Sequence, residues 1–408
     1  MKRIGILTYH CIPNFGAQLQ ALSTIGYLRD NGYEPVMLNW YPSDLEEEYR
    51  KRAPEDQNRI QFNFSQKNMP VSRLCRTLEE LCEEIEDLQL DAVIAGSDAL
   101  FDYTPEKHRY NFSLRRLKKI PIKITSNHLL PNPFWGSFND VLSQKIPVYG
   151  YAISSQNMPY QSLSKEECKE LRRLLNGFEK ITVRDNWTAD LVKKVGDIEE
   201  APVVPDPVFA LNQNYRDIPS KEEIIKRFRL PDNYILISFL YPILDDEYVN
   251  EIIRLAEYET GAKCVSFPMP DKLRRFNTKY TVELPLSPTD WYSLIKYSQG
   301  YIGERMHPIV VCMHNAIPFF CFDQYGTTQT IIPRLWSRFV PKSSKIFHIL
   351  KEAGLGANSV FYKNAKEITP RMVVDRFVRF DRDKCYLFSK AQLESYNKSM
   401  KMLLNHVR

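Results

Sequence analysis

From Arg3 onward short apolar runs alternate with helix-length segments, and this alternation constrains the fold more than any other feature of the chain. Residues 3–9 (RIGILTY) read as a buried strand, Pro13-Asn14-Phe15-Gly16 as a turn, and residues 17–31 as a helix that Gly32 ends. Residues 33–40 then supply a second strand, so a strand-helix-strand unit is complete within the first forty or so positions. Such a unit closes as a parallel pair joined by a crossover helix, which makes a doubly wound α/β architecture the expectation.

The pattern pauses and resumes. Residues 43–68 are polar, with Glu46-Glu47-Glu48 and Lys51-Arg52 among them, and are expected to form a mobile loop rather than core. Leu74, Leu78, Leu81, Ile85 and Leu88 recur at intervals of four and three, the stripe of a helix lying on a sheet. A strand at 91–95 runs into Gly96-Ser97-Asp98, and residues 103–123 read as a basic surface insertion. Residues 148–153 form a strand with Ser154 and Ser155 at its end, 165–178 a helix, and 180–183 a strand ending at Arg184-Asp185. Pro202, Pro205 and Pro207, with the polar stretch 212–219, mark a hinge to which Asp206 is assigned. Beyond it the alternation restarts: strands at 234–240, 263–267, 300–303 and 317–322, helices at 245–260, 288–298 and 308–315. The expected division is 1–211, with insertions near 43–70 and 103–135, then 212–370, then a charged helical tail at 371–408.

Composition excludes several function classes. Hydrophobic residues at 43% and charged residues at 26% are the proportions of a globular protein with a sizeable core. A net charge of +5, from 55 basic and 50 acidic residues, is too weak and dispersed to argue for nucleic acid, although it suits anionic substrates. The eight cysteines form no CxxC pair and several lie within apolar runs, so they read as reduced structural residues. No histidine pair has metal-ligand spacing, so neither metal nor cofactor is expected. No run approaches the ~18 apolar residues of a membrane span and no secretory signal is evident, which places the protein in the cytoplasm.

The chemistry concentrates at Gly303-Glu304-Arg305-Met306-His307-Pro308, between a strand and a helix. Proline suits the first helical position and drives the residue before it into extended backbone. On that geometry Arg305 and His307, two residues apart, face one side together. Helix-start N–H groups add positive potential, and the carboxyl ends of parallel strands are where doubly wound proteins bind ligands. The expectation is an anion site. The ordinary alternative for such residues is a surface ion pair and a satisfied cap.

Six segments in order, TYHCIPNFGAQLQAL at 8–22, LDAVIAGSD at 90–98, YAISS at 151–155, ITVRD at 181–185, VVPDPVFAL at 203–211 and GYIGERMHP at 300–308, resemble the signature segments of polysaccharide pyruvyl transferases. The resemblance implies a GT-B-like fold, two Rossmann-like domains facing a cleft, with the acceptor on the first side and the donor on the second. It also implies transfer of pyruvate from phosphoenolpyruvate, as co-substrate, onto a polymeric or lipid-linked sugar as a ketal. Carried over by position, Arg184 is the arginine that contacts the donor, and Arg305 and His307 stand at the reaction centre. Asn14, Gly16, Ser97, Asp98, Ser154 and Glu304 fall on the loops that would line the substrate site. Pro308 departs from the glycine or small residue that many relatives have there.

The residue types suit that chemistry. A guanidinium meets a carboxylate or a phosphate with two parallel hydrogen bonds, and an imidazole can give and take protons near neutral pH. The plainer readings make Asn14 and Gly16 turn formers, Asp98 a helix cap, Arg184 the ion-pair partner of Asp185, and Glu304 a structural partner for an arginine. His10, His128 and His314 are assigned structural roles. Two other functions share the expected fold: a nucleotide-sugar glycosyltransferase, and a catalytically silent carbohydrate-binding scaffold. A lipid-linked acceptor would bring the protein to the inner membrane face, where Arg371, Arg376, Arg379, Arg382 and Lys384 would meet anionic lipid; the plainer reading of that segment is a solvated helix.

Overall fold

The structure is a computed structural model that describes residues 1–113, 118–240, 244–324 and 344–407. In chain order its strands are β1 (Arg3–Leu7), β2 (Glu34–Trp40), β3 (Val71–Cys75), β4 (Ala92–Ala95), β5 (Tyr110–Ser113), β6 (Lys118–Pro121), β7 (Val148–Ile153), β8 (Lys180–Val183), β9 (Tyr234–Ser238), β10 (Lys263–Ser266), β11 (Tyr280–Thr281), β12 (Gly300–Gly303), β13 (Phe319–Asp323) and β14 (Ser359–Phe361). They build two six-stranded sheets of parallel strands, ordered β3-β2-β1-β4-β7-β8 and β11-β10-β9-β12-β13-β14. Each order reads third, second, first, fourth, fifth, sixth, so each sheet reverses direction once, between β1 and β4 in the first and between β9 and β12 in the second. β5 and β6 form a separate antiparallel hairpin, within the stretch expected to be a surface insertion.

The central strands are wholly buried, as the near-continuous Val/Ile/Leu/Ala runs dictate for sheets covered on both faces. Phe15–Asp30 is the helix that joins the two halves. Asn14 caps it by accepting from Ala17 N–H, and nearly all its sides are buried, because it lies between the first sheet and the second half of the chain. Phe15 stacks on Trp291 with ring centroids 5.1 Å apart. The donors of its buried polar side chains are matched: Gln18 Nε2 donates to Gln61 O at 2.8 Å, and Ser23 Oγ donates to Pro207 O at 2.7 Å. A methyl group on Gly26 would lie 1.8 Å from Asn214 O, so only glycine allows this approach.

Three expectations are corrected. The polar stretch 43–68 is not a loop but two helices, Ser43–Arg50 and Glu55–Asn68, and it leads into β3. On its buried side, beside Phe64, Gln57 and Ser65 make side-chain hydrogen bonds and Gln61 accepts from Gln18 through its backbone carbonyl, so the apolar stripe that periodicity looks for is missing. Gln57 grips Leu286 of the second half twice, donating to its carbonyl at 2.9 Å and accepting from its N–H at 2.7 Å. Leu74 belongs to β3 and is 43% exposed, so the helical stripe begins only at Leu78. The tail is no solvated helix: within Arg382–Asn405, Tyr396, Met400, Leu403 and Leu404 are buried. Its first half rests on the second half of the chain, where Ser389 Oγ donates to His314 O. Its last turns return to the first sheet, where Tyr151 OH meets Ser399 Oγ at 3.3 Å and Tyr149 OH donates to His406 O.

Candidate active site

The loops leaving β4, β8 and β12 converge between the sheets. β4 delivers Asp98, held at φ 111°, and β12 delivers Arg305 at φ 80°. The fourth strand of each sheet thus ends next to its reversal point in a non-glycine residue with positive φ, a conformation that persists only where surrounding structure enforces it.

On the first side the charges are paired. Arg184, whose side chain is 5% exposed, donates from Nη1 to Asp206 Oδ2 at 2.9 Å and reaches Asp98 Oδ1 from Nη2 at 3.5 Å. Burial alone would lower its pKa, but Asp206, Asp98 and Asp185 outweigh that and hold it above the ordinary value. Asp206 also accepts from Gln20 Nε2 at 2.6 Å and from Val208 N–H. It is therefore the anchor of the network rather than a hinge residue alone, and its sequence signal was an acidic side chain fixed between two prolines. Asp185 is turned away, capping the helix Asn186–Gly196 through Thr188 and accepting from Ser154 Oγ at 2.7 Å. Ser97 Oγ donates to Ala152 O at 2.8 Å. Both serines are wholly buried and hold loops against β7 and β8.

On the second side the backbone differs from expectation. The helix is Met306–His314 with Arg305 as its N-cap, so His307 is helical and Pro308 is the third helical residue. Proline fits there because the first four N–H groups of a helix have no partner within it. Extended backbone at 305–307, and with it the shared facing of Arg305 and His307, does not form. Arg305 Nη2 instead pairs with Asp271 at 3.0 Å. His307 lies against the start of the first side's helix, where a methyl group on Gly16 would fall 2.1 Å from its ring. The absence of a side chain at Gly16 is thus what admits the imidazole.

His307 Nε2 is buried and has no hydrogen-bond partner among the described residues. Its pKa is lowered, chiefly by burial and further by the Arg184 and Lys345 charges, against the opposing pull of Asp98 and Asp206. Its imidazole is therefore neutral near pH 7. Glu304 is fully buried and accepts from Leu240 N–H, Gln324 Nε2 and Tyr362 OH, the last at 2.7 Å. These contacts brace the loop after β12. Asn14 stays with its capping role, and His10 is held between Thr8 O and Asn39 Oδ1.

Lys345 escaped the sequence reading. It opens the helix Lys345–Glu352, capped by Ser344, and lies within electrostatic reach of Arg184, Asp185, Asp98 and Asp102. Burial, then Arg184, pulls its pKa down to about 8. Nothing in the surrounding Pro341-Lys342-Ser343-Ser344 marks it out, because its setting comes wholly from tertiary packing. A cavity of about 510 Å3 opens beside these groups, bounded by Arg184 and Asp206 on the first side, Met306, Lys345 and His348 on the second, and Gln392 of the last helix.

Comparison with known proteins bears on the fold. The UDP-GlcNAc 2-epimerase of Methanocaldococcus jannaschii superposes with a TM-score of 0.53 at 11% identity, over 99% of this chain and 100% of that one. A spinosyn forosaminyltransferase gives 0.48 at 11% identity, over 100% and 99%. A putative UDP-N-acetylglucosamine 2-epimerase of Listeria monocytogenes gives 0.49 at 8%, over 95% and 90%. Fold and site together define a GT-B-like protein, two Rossmann-like halves facing a charged cleft. A search among curated proteins returns no significant match. The family model of polysaccharide pyruvyl transferases matches residues 14–324, and the chain belongs to that family.

Proposed function

We propose that the protein moves pyruvate from phosphoenolpyruvate onto two hydroxyls of one sugar, in a polysaccharide or its lipid-linked precursor, as a cyclic ketal. The observation that carries this reading is a neutral imidazole, His307, with an unpartnered Nε2, held between Gly16 of one half and the Arg184 network. Phosphoenolpyruvate brings a carboxylate and a phosphate, which the guanidinium groups of Arg184 and Arg305 suit in charge, with Asp206, Asp98 and Asp271 already taking part of their hydrogen-bonding capacity.

In the proposed sequence His307 takes the proton of the first sugar hydroxyl and delivers it to the methylene carbon of the donor. The hydroxyl oxygen bonds to the central carbon as the double bond is lost. The carbon–oxygen bond to phosphate then breaks, the second hydroxyl adds to the same carbon, and its proton leaves with the phosphate. One donor and one diol thus give one ketal and one inorganic phosphate. The negative donor would raise the His307 pKa on binding, which helps it hold the proton between the two transfers. The first half, residues 1–211, would present the acceptor, and residues 212–370 the donor.

No helix among the described residues is long and apolar enough to cross a membrane. A lipid-linked acceptor would be met by peripheral contact at the inner face. Flotation with anionic vesicles tests that contact, and absence of binding would remove it. The reaction itself is tested by phosphorus NMR of phosphoenolpyruvate incubated with the protein and candidate lipid-linked sugars. Acceptor-dependent release of inorganic phosphate is expected. Turnover that requires a nucleotide sugar and leaves the donor intact would overturn the reading.

A further inference from the structure

We infer that Lys345 and Arg184 form a two-cation clamp, reaching from opposite halves of the chain, that binds a phosphate- or carboxylate-bearing anion in the 510 Å3 cavity. Both residues line that cavity, Arg184 from the end of β8 and Lys345 from the start of the helix Lys345–Glu352. Each has donor capacity left over. Arg184 gives one hydrogen of Nη1 to Asp206 and one of Nη2 to Asp98, which leaves the second hydrogen on each, and its Nε is buried with no hydrogen-bond partner among the described residues. Lys345 makes no salt bridge or hydrogen bond among the described residues.

Two cations side by side in a desolvated setting repel, and each loses hydration it does not regain. The carboxylates in reach do not remove this conflict. Asp206 and Asp98 are engaged by Arg184, Asp185 caps a helix, and Asp102 faces His128 with its pKa raised by burial. Of the remaining titratable groups, His307 is neutral near pH 7, and His348, Lys351 and Glu352 line the same cavity from the helix that carries Lys345. An anion seated between Arg184 and Lys345 would accept from both and hold Lys345 in its charged form to higher pH. The volume lies within the range of small-molecule sites and exceeds what a single phosphate fills, so the anion is the charged end of a larger ligand. The proposal depends on the pyruvyl-transfer reading only for naming that ligand as the donor.

The test uses the full chain and two probes, sulfate and phosphoenolpyruvate, titrated calorimetrically from pH 6.5 to 9.5. Sulfate stays a dianion across this range and undergoes no chemistry, so its binding reports the clamp whether or not pyruvate is transferred. Wild-type affinity for sulfate is expected to fall as pH rises through about 8, where Lys345 loses its proton. Lys345→Gln should weaken both probes by about ten- to a hundredfold at pH 7. Lys345→Arg should keep the affinity and abolish its fall near pH 8, a change that a merely structural lysine would not produce. Failure of the wild type to bind sulfate, equal binding by Lys345→Gln, or an unchanged pH profile in Lys345→Arg would each overturn the clamp. Intact sulfate binding with no consumption of phosphoenolpyruvate in the presence of candidate acceptor sugars would instead sink the pyruvyl-transfer reading and leave the clamp standing.

Discussion

The two sheets share one strand order, yet their reversal points are finished in opposite ways. After β4 and β8 each charge has found a partner: Arg184 sits between Asp206 and Asp98, Asp206 also holds Gln20, and Asp185 holds Ser154 and Thr188. After β12 and at the start of the Lys345 helix stand two groups with no hydrogen-bond partner among the described residues, the buried His307 Nε2 and the Lys345 ammonium, and burial lowers the pKa of each. Paired buried charges resist change because removing one strands the other. Unpaired ones have their pKa values displaced, which is what proton transfer and anion capture require. The first half is therefore the fixed frame of the site, and the second supplies its reactive groups.

That contrast can be broken most sharply at His307. His307→Gln should lower kcat by about 10²- to 10⁴-fold while leaving the melting temperature near that of the wild type, as measured by donor consumption and thermal unfolding. Arg184→Met should do the reverse in stability, costing roughly 3–5 kcal/mol in denaturant titration because Asp98 and Asp206 lose their cation. An Arg184→Met protein as stable as the wild type would remove the distinction between frame and reactive side.

Gly16→Ala probes the seam itself. Its methyl group must displace the imaidazole-bearing ring of His307, so turnover should fall by about 10²-fold with little change in donor affinity. Next in size is the pH profile of kcat/KM. With His307 acting as base, activity is lost as pH falls through a pKa below the usual 6.5; with Lys345 acting as cation, it is lost as pH rises through about 8. Lys345→Arg should erase only the alkaline limb. The smallest effect is expected at Gln57→Ala, which removes two hydrogen bonds to Leu286 and should cost about 1–3 kcal/mol in stability, read by urea unfolding.

The alternation of strands and helices was legible because buried parallel strands must be continuously apolar, and 148–153, 180–183 and 300–303 fall on β7, β8 and β12 without a residue's shift. The helices at 43–68 were not legible, since a face that binds through Gln57, Ser65 and the backbone carbonyl of Gln61 carries no hydrophobic period. Around the site, the positions of Arg184 and His307 followed from strand ends. The partners did not. Asp206 lies in a proline-rich connection, and Lys345 follows a stretch without apolar pattern, so their meeting depends on how the two halves dock. Local rules also misplaced the helix start at Pro308, because the contact of His307 with Gly16 outweighs the preference of a residue before proline for extended backbone.

The long final helix has a mechanical consequence. The chain passes between the two halves once near Asp206 and again along Arg382–Asn405, whose ends are bonded to different halves. A body joined to another at two separated points keeps one easy rotation, about the line through both. Two such crossings favour a swing about that axis over a sliding or twisting of one half over the other, and the Gln57–Leu286 and Phe15–Trp291 contacts restrain the halves further.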